Sequence, residues 1–325
     1  MERERYLAIY REAEAFFRGC HEGDAYMAKR GITPQTAEKF GIGCAPRNSE
    51  EMVRALGAKG FRKNELEEAG LLNARGGCLF FSRLMFPLRD KDGNTVAFSG
   101  RVMDDSKPKY INSPETPFFK KGEMLFNYSS ARKTGKNFIL CEGQMDVIAM
   151  VQAGFTSAVA PLGTAFTKQQ QEMVGDNVTL CLDGDGPGTK KALQHAAKLY
   201  PKKVRIVHLP DGHDPDEILR AEGAEGLKKY MKGLSLPQMY AVVMKEKFEK
   251  PENPNVLRPK NSHADYSKRA EIVLDRSVDV ALATIPVIRR YSLDKKADVN
   301  FLADVTGFAP KDIIAELDRA NEKTK

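Results

Sequence analysis

The chain has 325 residues, 42% hydrophobic and 29% charged, with a net charge of +7, enough for two or three compact units with their own cores. It has no run of about 18 apolar residues that could cross a membrane, and its start, MERERYLAIYREAEAFF, lacks the apolar core of a signal peptide. Neither a transmembrane helix nor a signal peptide is thus expected, a cytoplasmic protein without a membrane partner is, and the positive balance favours an anionic partner such as nucleic acid.

Five cysteines (Cys20, Cys44, Cys78, Cys141 and Cys181) are scattered without a CxxC pair. That pattern predicts buried reduced thiols, with neither a disulfide framework nor a zinc site.

Residues 1–120 mix short helices with strands and predict an α+β subdomain. In AYMAKRGITPQTAEKFGIGCAP a helix ends at Gly31, and a second is capped by Thr33 and stopped by Gly41. The stretch CLFFSRLMFPLRDKDGNTVAFSGRVM reads as a hairpin turning at Asp92-Gly93.

Residues 121–235 alternate strand and helix: NFILCE, QMDVIAMVQAG, TSAVA, TKQQQEMVG, NVTLCLD, GTKKALQHAAKLY, KKVRIVHL, PDEILRAEG. Such alternation predicts a mostly parallel sheet with helices on both faces. In residues 236–325 a polar stretch rich in Pro and Asn, KPENPNVLRPKNSH, is followed by apolar residues at helical spacing, which predicts a small helical bundle.

In open parallel sheets ligands bind beyond the carboxyl ends of the strands. Three of these ends carry acids beside glycines: Glu142-Gly143, Asp183-Gly184-Asp185, and Asp211 with Asp214 and Asp216. Like charges so close repel, and oxygen-only anionic donors suit Mg²⁺ or Mn²⁺. Glu142, Asp183, Asp185, Asp214 and Asp216 are therefore candidate metal ligands. The alternative is a solvated loop whose acids cap helix N-termini; Asp211 and Asp146 fit that alternative well.

The segments CEGQMDVIAM, LDGDGPGTKKA and DGHDPDE together resemble the Toprim fold, found in bacterial primases, topoisomerases and some nucleases. Upstream, YMAKRGITPQTAEKFGIGCAP, SRLMFPLRDKDGNTVAFSGRVMDD and PKYINSPETPFFKKGEMLFNYSSARK resemble the polymerase core of the DnaG-like bacterial DNA primases. The resemblance covers nearly the whole chain. Gln144 departs from it where an aromatic residue is usual, and Pro187 where Ala is common.

The resemblance implies an RNA polymerase core: an N-terminal α+β subdomain, a Toprim-type parallel-sheet domain and a C-terminal helical bundle. It implies an enzyme, a DNA primase, making short RNA primers on single-stranded DNA from ribonucleoside triphosphates with one to three Mg²⁺ or Mn²⁺ ions, and leaving an RNA–DNA hybrid. Glu142, Asp183 and Asp185 would be catalytic. Arg83, Arg101, Lys109, Tyr110, Asn112 and Lys121 would contact nucleotide or template, since triphosphates need cationic partners. The expected location is the bacterial cytoplasm, at the nucleoid. The zinc ribbon and the helicase-binding domain of such primases have no counterpart here, so the chain reads as a core fragment without zinc, and the replicative helicase as a partner of the longer protein. The rival readings are a Toprim nuclease and a non-catalytic nucleic-acid-binding module. His21, His195, His208 and His263 read as structural, and His213 is assigned no role.

Overall fold

The computed structural model describes residues 1–48, 50–73, 75–135, 137–249 and 266–322. Helix α1 (Arg3–Arg18) carries Tyr6, Ile9, Tyr10, Ala13 and Phe17 on one buried stripe, three or four residues apart. The stripe packs on an antiparallel sheet of β1 (Gly43–Ala45), β2 (Arg83–Arg89), β3 (Thr95–Val102) and β4 (Tyr110–Asn112), in that spatial order. The Tyr6 hydroxyl donates to the Val96 carbonyl at 2.7 Å, so the stripe buries no unpaired hydroxyl there. Helices α2 (Asp24–Lys29), α3 (Pro34–Phe40), α4 (Glu50–Ala58) and α5 (Lys63–Glu68) complete this part, with α4 packed on α1.

The local signals hold. Thr33 accepts from the Thr36 N–H at 3.2 Å, and Gly41 closes α3 at φ 70°. The β2–β3 turn is fastened by Asp90, whose carboxylate accepts from the Asp92 and Asn94 N–H groups at 3.0 and 2.9 Å. One expectation fails. Cys20 and Cys44 form a disulfide with their Cα atoms 5.5 Å apart, while Cys78, Cys141 and Cys181 are buried free thiols. The pairing joins the end of α1 to β1 across 24 residues, a proximity created by sheet packing and absent from the local pattern.

A second sheet has the order β5 (Leu125–Phe126), β7 (Ala158–Pro161), β6 (Phe138–Leu140), β8 (Asn177–Leu180), β9 (Lys203–Ile206). Strands β6 to β9 run parallel, and only the edge strand β5 is antiparallel. Helices α6 (Tyr128–Ala131), α7 (Gln144–Gln152), α8 (Lys168–Met173) and α9 (Gly186–Leu199) make the connections, and α10 (Pro215–Tyr230) follows β9 and packs on α7. From β6 the chain moves outward to β7, then returns to β8 on the other side of β6. The crevice between the ends of β6 and β8 is therefore the topological switch point, where such sheets bind ligands.

Helix α7 is buried from Gln144 to Val151, as expected of a helix apolar on all sides. Its Met145, Val147, Ile148, Met150 and Val151 share one core with Tyr10, Phe86 and Phe98 of the N-terminal part. The Gln152 side-chain amide extends this junction, accepting from the Thr33 N–H at 3.0 Å and donating to the Gly31 carbonyl at 2.8 Å. Helices α11 (Leu236–Glu249), α12 (Tyr266–Tyr291), α13 (Lys295–Thr306) and α14 (Pro310–Glu322) form a bundle with its own core, including Ile285, Ile288, Val299, Leu302 and Leu317. The polar stretch 250–263 lies outside the described residues. No described helix is long and apolar enough to cross a membrane.

An ion pair fastens α1 to α5. Glu65 accepts from Arg5 Nε at 2.9 Å and from the Arg62 N–H at 2.7 Å, and these donors lower its pKa from 4.5 to about 2. The folded pKa lies below the ordinary one, so the stabilisation is present above pH 4.5 and disappears as pH falls through 2. Glu65→Gln lowers the melting temperature at pH 7, and thermal melts at falling pH show the gap to the unaltered protein closing over that interval. A gap independent of pH would assign the effect to packing alone.

Candidate active site

Of the five predicted metal ligands, Glu142, Asp185 and Asp214 lie close enough to Asp183 for their charges to act on it, Asp216 lies beside Asp214, and each is held differently. Glu142 follows β6, and its Oε2 accepts from Lys191 Nζ at 2.6 Å. Its Oε1 is buried without a hydrogen-bond partner. Asp185 is the N-cap of α9, accepting from the Gly188 N–H at 2.6 Å. Asp214 is the N-cap of α10, accepting from the Glu217 N–H at 2.6 Å. The helix-capping alternative thus holds for both residues without removing them from the cluster. Asp216 is buried and paired with Arg30 and, at 3.5 Å, with Arg220 Nε. Asp183 has no side-chain hydrogen bond among the described residues.

What brings the loops together is Gly184. Its N–H donates to the His213 carbonyl at 2.8 Å, tying the β8 loop to the β9 loop. A Cβ at Gly184 would collide with the Pro210 carbonyl oxygen, so only glycine permits this approach. The result is electrostatic crowding at Asp183. Burial first, then the charges of Glu142, Asp214 and Asp185, raise its pKa to about 7, with Lys191 opposing them.

Asp146, which the sequence reading assigned to a first-turn cap, belongs to this cluster. It does accept from the Gly143 N–H at 2.9 Å. It is also buried, and burial followed by the Asp183 and Asp214 charges holds its carboxyl well above the usual range. The signal available in sequence was its position in the first turn of a helix apolar on all sides, directly after Glu142. Lys191, Arg30 and His195 also reach the site, and no local pattern marks them. His195, read as structural, keeps Nδ1 buried without a partner and packs its ring 5.2 Å from Phe166.

Among the described residues no three of His, Cys, Asp or Glu are spaced to hold a metal ion as they stand. Most of these acids have a partner of their own: Lys191 pairs with Glu142, two guanidinium groups with Asp216, and two helix ends with Asp185 and Asp214. The donor chemistry nonetheless fits a divalent cation. The donors are oxygens only, one carboxylate oxygen is buried and unpaired, and the mutual repulsion at Asp183 is one that a cation would remove.

A cavity of about 210 Å³ adjoins this cluster, between β4 and the ends of β6 and β7, with Tyr110 and Asn112 on one wall and Glu142, Lys191 and His195 on the other. Asn112 donates to the Leu162 carbonyl at 2.8 Å and keeps its Oδ1 buried and unpartnered. Gln144, which replaces an expected aromatic residue, is buried and donates to Ser99 Oγ at 3.2 Å, so an amide links the start of α7 to β3. A larger cavity, about 520 Å³, lies at the opposite end of the same strands, near Asn177, Lys203 and Tyr200, and includes none of the predicted site residues.

The predicted basic contacts divide in two. Lys109 and Lys121 are exposed, and the Lys121 stem lies against Gly163. Arg101 and Arg83 are buried. Arg101 Nη1 donates to the Tyr110 hydroxyl at 3.1 Å, and burial raises the pKa of that phenol to about 12. Arg83 Nη1 donates to the Gly100 and Pro108 carbonyls at 3.2 and 3.1 Å, and so supports the backbone just before Lys109.

Known proteins resemble this chain in sequence and fold. Residues 12–132 match the family model for the DNA primase catalytic core, N-terminal domain, and residues 139–219 match a Toprim-like model. The DNA primase of Pseudomonas putida is 41% identical over 216 residues, which are 62% of this chain and 33% of that protein. The chain spans only about a third of the length of such curated relatives. The RNA polymerase domain of Mycobacterium tuberculosis primase DnaG, solved with double-stranded DNA bearing a 6-nucleotide overhang, aligns at TM-score 0.77 and 25% identity, covering 95% of this chain and 99% of that one. A DnaG primase catalytic domain bound to single-stranded DNA aligns at TM-score 0.68 and 26% identity, covering 95% and 98%.

Two outcomes follow from the crowding at Asp183. With chelator present at pH 8, Asp183→Asn melts at a higher temperature than the unaltered protein, by the equivalent of about 1–2 kcal/mol after allowance for screening at a half-buried site. The folded pKa of about 7 lies above the ordinary 3.8, so ionised Asp183 opposes folding as pH rises between these values. The gain should therefore be complete above pH 7 and fade towards pH 4. The second outcome is that Gly184→Ala separates the β8 and β9 loops and destabilises by about 1–3 kcal/mol; chemical denaturation measures this, and an unchanged midpoint would rule out the tight approach.

Proposed function

The chain belongs to the DNA primase catalytic-core family, and on that premise we propose that its acidic cleft joins ribonucleotides on a single-stranded DNA template to make short RNA primers for DNA replication. The reaction is nucleotidyl transfer: the primer 3′-hydroxyl attacks the α-phosphate of an incoming ribonucleoside triphosphate, a P–O bond forms, and pyrophosphate leaves. The observation that supports this reading best is the crowding of Glu142, Asp185 and Asp214 around Asp183 at the switch point of the sheet.

In this reading Glu142, Asp183 and Asp185 are the catalytic acids, and with Asp214 and Asp216 they hold one to three Mg²⁺ or Mn²⁺ ions. Held by these acids, a divalent cation would supply the charge that lowers the pKa of the attacking hydroxyl and neutralises the triphosphate. The chain's own residues supply rigidity. Helix caps hold Asp185 and Asp214, and Arg30 holds Asp216, so the oxygens are oriented before substrate arrives. Lys109 and Lys121 are exposed for triphosphate or template phosphates. Tyr110 and Asn112 face the same cavity as Glu142, within reach of a bound nucleotide. Arg83 acts on substrate through the backbone that carries Lys109. Template is held by its phosphates, so its affinity falls steeply with salt.

The reading is tested by incubating the protein with single-stranded template, labelled ribonucleotides and Mg²⁺ or Mn²⁺. Template-dependent oligoribonucleotides are expected, and Asp183→Asn should reduce their synthesis by about 10²–10³-fold, as for loss of a group that stabilises transition-state charge. Shortening of the template instead would identify a nuclease. Lys109→Ala should raise the ribonucleotide KM while leaving Mn²⁺ binding unchanged; unaltered KM and kcat would make Lys109 a solvated surface charge.

A further inference from the structure

Lys191 sits in the first half of α9, and its ammonium forms a 2.6 Å ion pair with Glu142 Oε2. The side chains are 42% and 20% exposed, so the pair lies at the wall of the cleft and not in the core. The other oxygen of the same carboxylate, Oε1, is buried and unpartnered. The ammonium therefore occupies one of the two oxygens that Glu142 could offer, beside Asp183 and Asp185.

We propose that Lys191 is a resident counter-ion of the acidic cleft, which a divalent cation must displace from Glu142, so that metal affinity in this chain is lower than its carboxylates alone would set. The inference rests on the reading that these acids bind a divalent cation. Its physical basis is simple. An ammonium 2.6 Å from an oxygen cannot remain there while a second cation binds that oxygen, because like charges at that range repel strongly. A lysine can leave, since its charge is carried on a flexible four-carbon stem, and the adjoining cavity that Lys191 lines offers it space. Without metal, the same ammonium offsets part of the repulsion among Glu142, Asp183 and Asp185, and lets the cleft fold before a cation arrives.

Mn²⁺ titration calorimetry on the full chain separates the possibilities. Lys191→Met should bind Mn²⁺ about tenfold more tightly than the unaltered protein, the low end of what one neighbouring charge does to an ionic equilibrium. Lys191→Arg keeps the cation and should stay near the original affinity. Lys190→Met removes the same charge from the neighbouring exposed position, and should change affinity by no more than about twofold, because a solvated charge is screened. If Lys191→Met proves unfolded by circular dichroism, Lys191→Gln carries the same expectation. Mn²⁺ binding by the unaltered protein that Lys191→Met leaves unchanged, weakens, or tightens only as much as Lys190→Met would overturn the inference while leaving the metal reading intact. No Mn²⁺ binding by the unaltered protein, Lys191→Met or Lys191→Gln would overturn both.

Discussion

The structure turns on keeping several carboxylates closer together than their charges favour. Glu142 and Asp183 leave adjacent parallel strands, so the spacing of the sheet brings them together at the switch point. Asp185 and Asp214 join them because Gly184 lets the β8 loop meet the β9 loop at backbone distance. Each acid is offset locally by a helix N-terminus, a guanidinium group or an ammonium, and Asp183 carries the remaining repulsion. In the proposed reading such a site is prepared for a cation, because its anions are already assembled and partly buried, and the work of assembling them was done in folding.

The same logic explains how the N-terminal part is attached. Its sheet and α1 share a core with the buried helix α7, which begins directly after Glu142. Around that apolar junction the polar links are specific: the Gln152 amide reads Gly31 and Thr33, and Arg30 reaches Asp216. The Asn112 amide adds a third, to Leu162 beyond the end of β7. The wall bearing Tyr110 and Asn112 is thus held against the acidic cluster by groups that also shape the cluster. Among the basic residues, burial separates two tasks. Arg83 and Arg101 hold the backbone and phenol that form the wall, while Lys109 and Lys121 leave their charges in solvent.

Much of this was legible in the chain itself, because it depends on neighbours in sequence. The Thr33 cap, the Gly41 stop, the turn near Gly93 and the alternation of strand and helix are short-range patterns, and each formed where its residues required. The acids at three strand ends were legible for the same reason, since a parallel strand followed by a glycine-backed carboxylate sends that group to one edge of the sheet.

What only the tertiary structure decided are relations between distant residues. Arg30 and Asp216 are 186 positions apart, Lys191 and Glu142 are 49, and Cys20 and Cys44 are 24. No periodicity links such pairs; packing does. Asp146 was visible as a helix-capping acid, but its burial against Asp183 follows from how α7 is enclosed on every side. The sequence alone determined which residues could supply charge and where the Thr33 cap, the Gly41 stop and the turn near Gly93 would fall, because propensity, capping and hydrophobic period act within a few residues. Folding decided which charges face one another and which lose their water, because field and desolvation depend on distance in space and not on position along the chain.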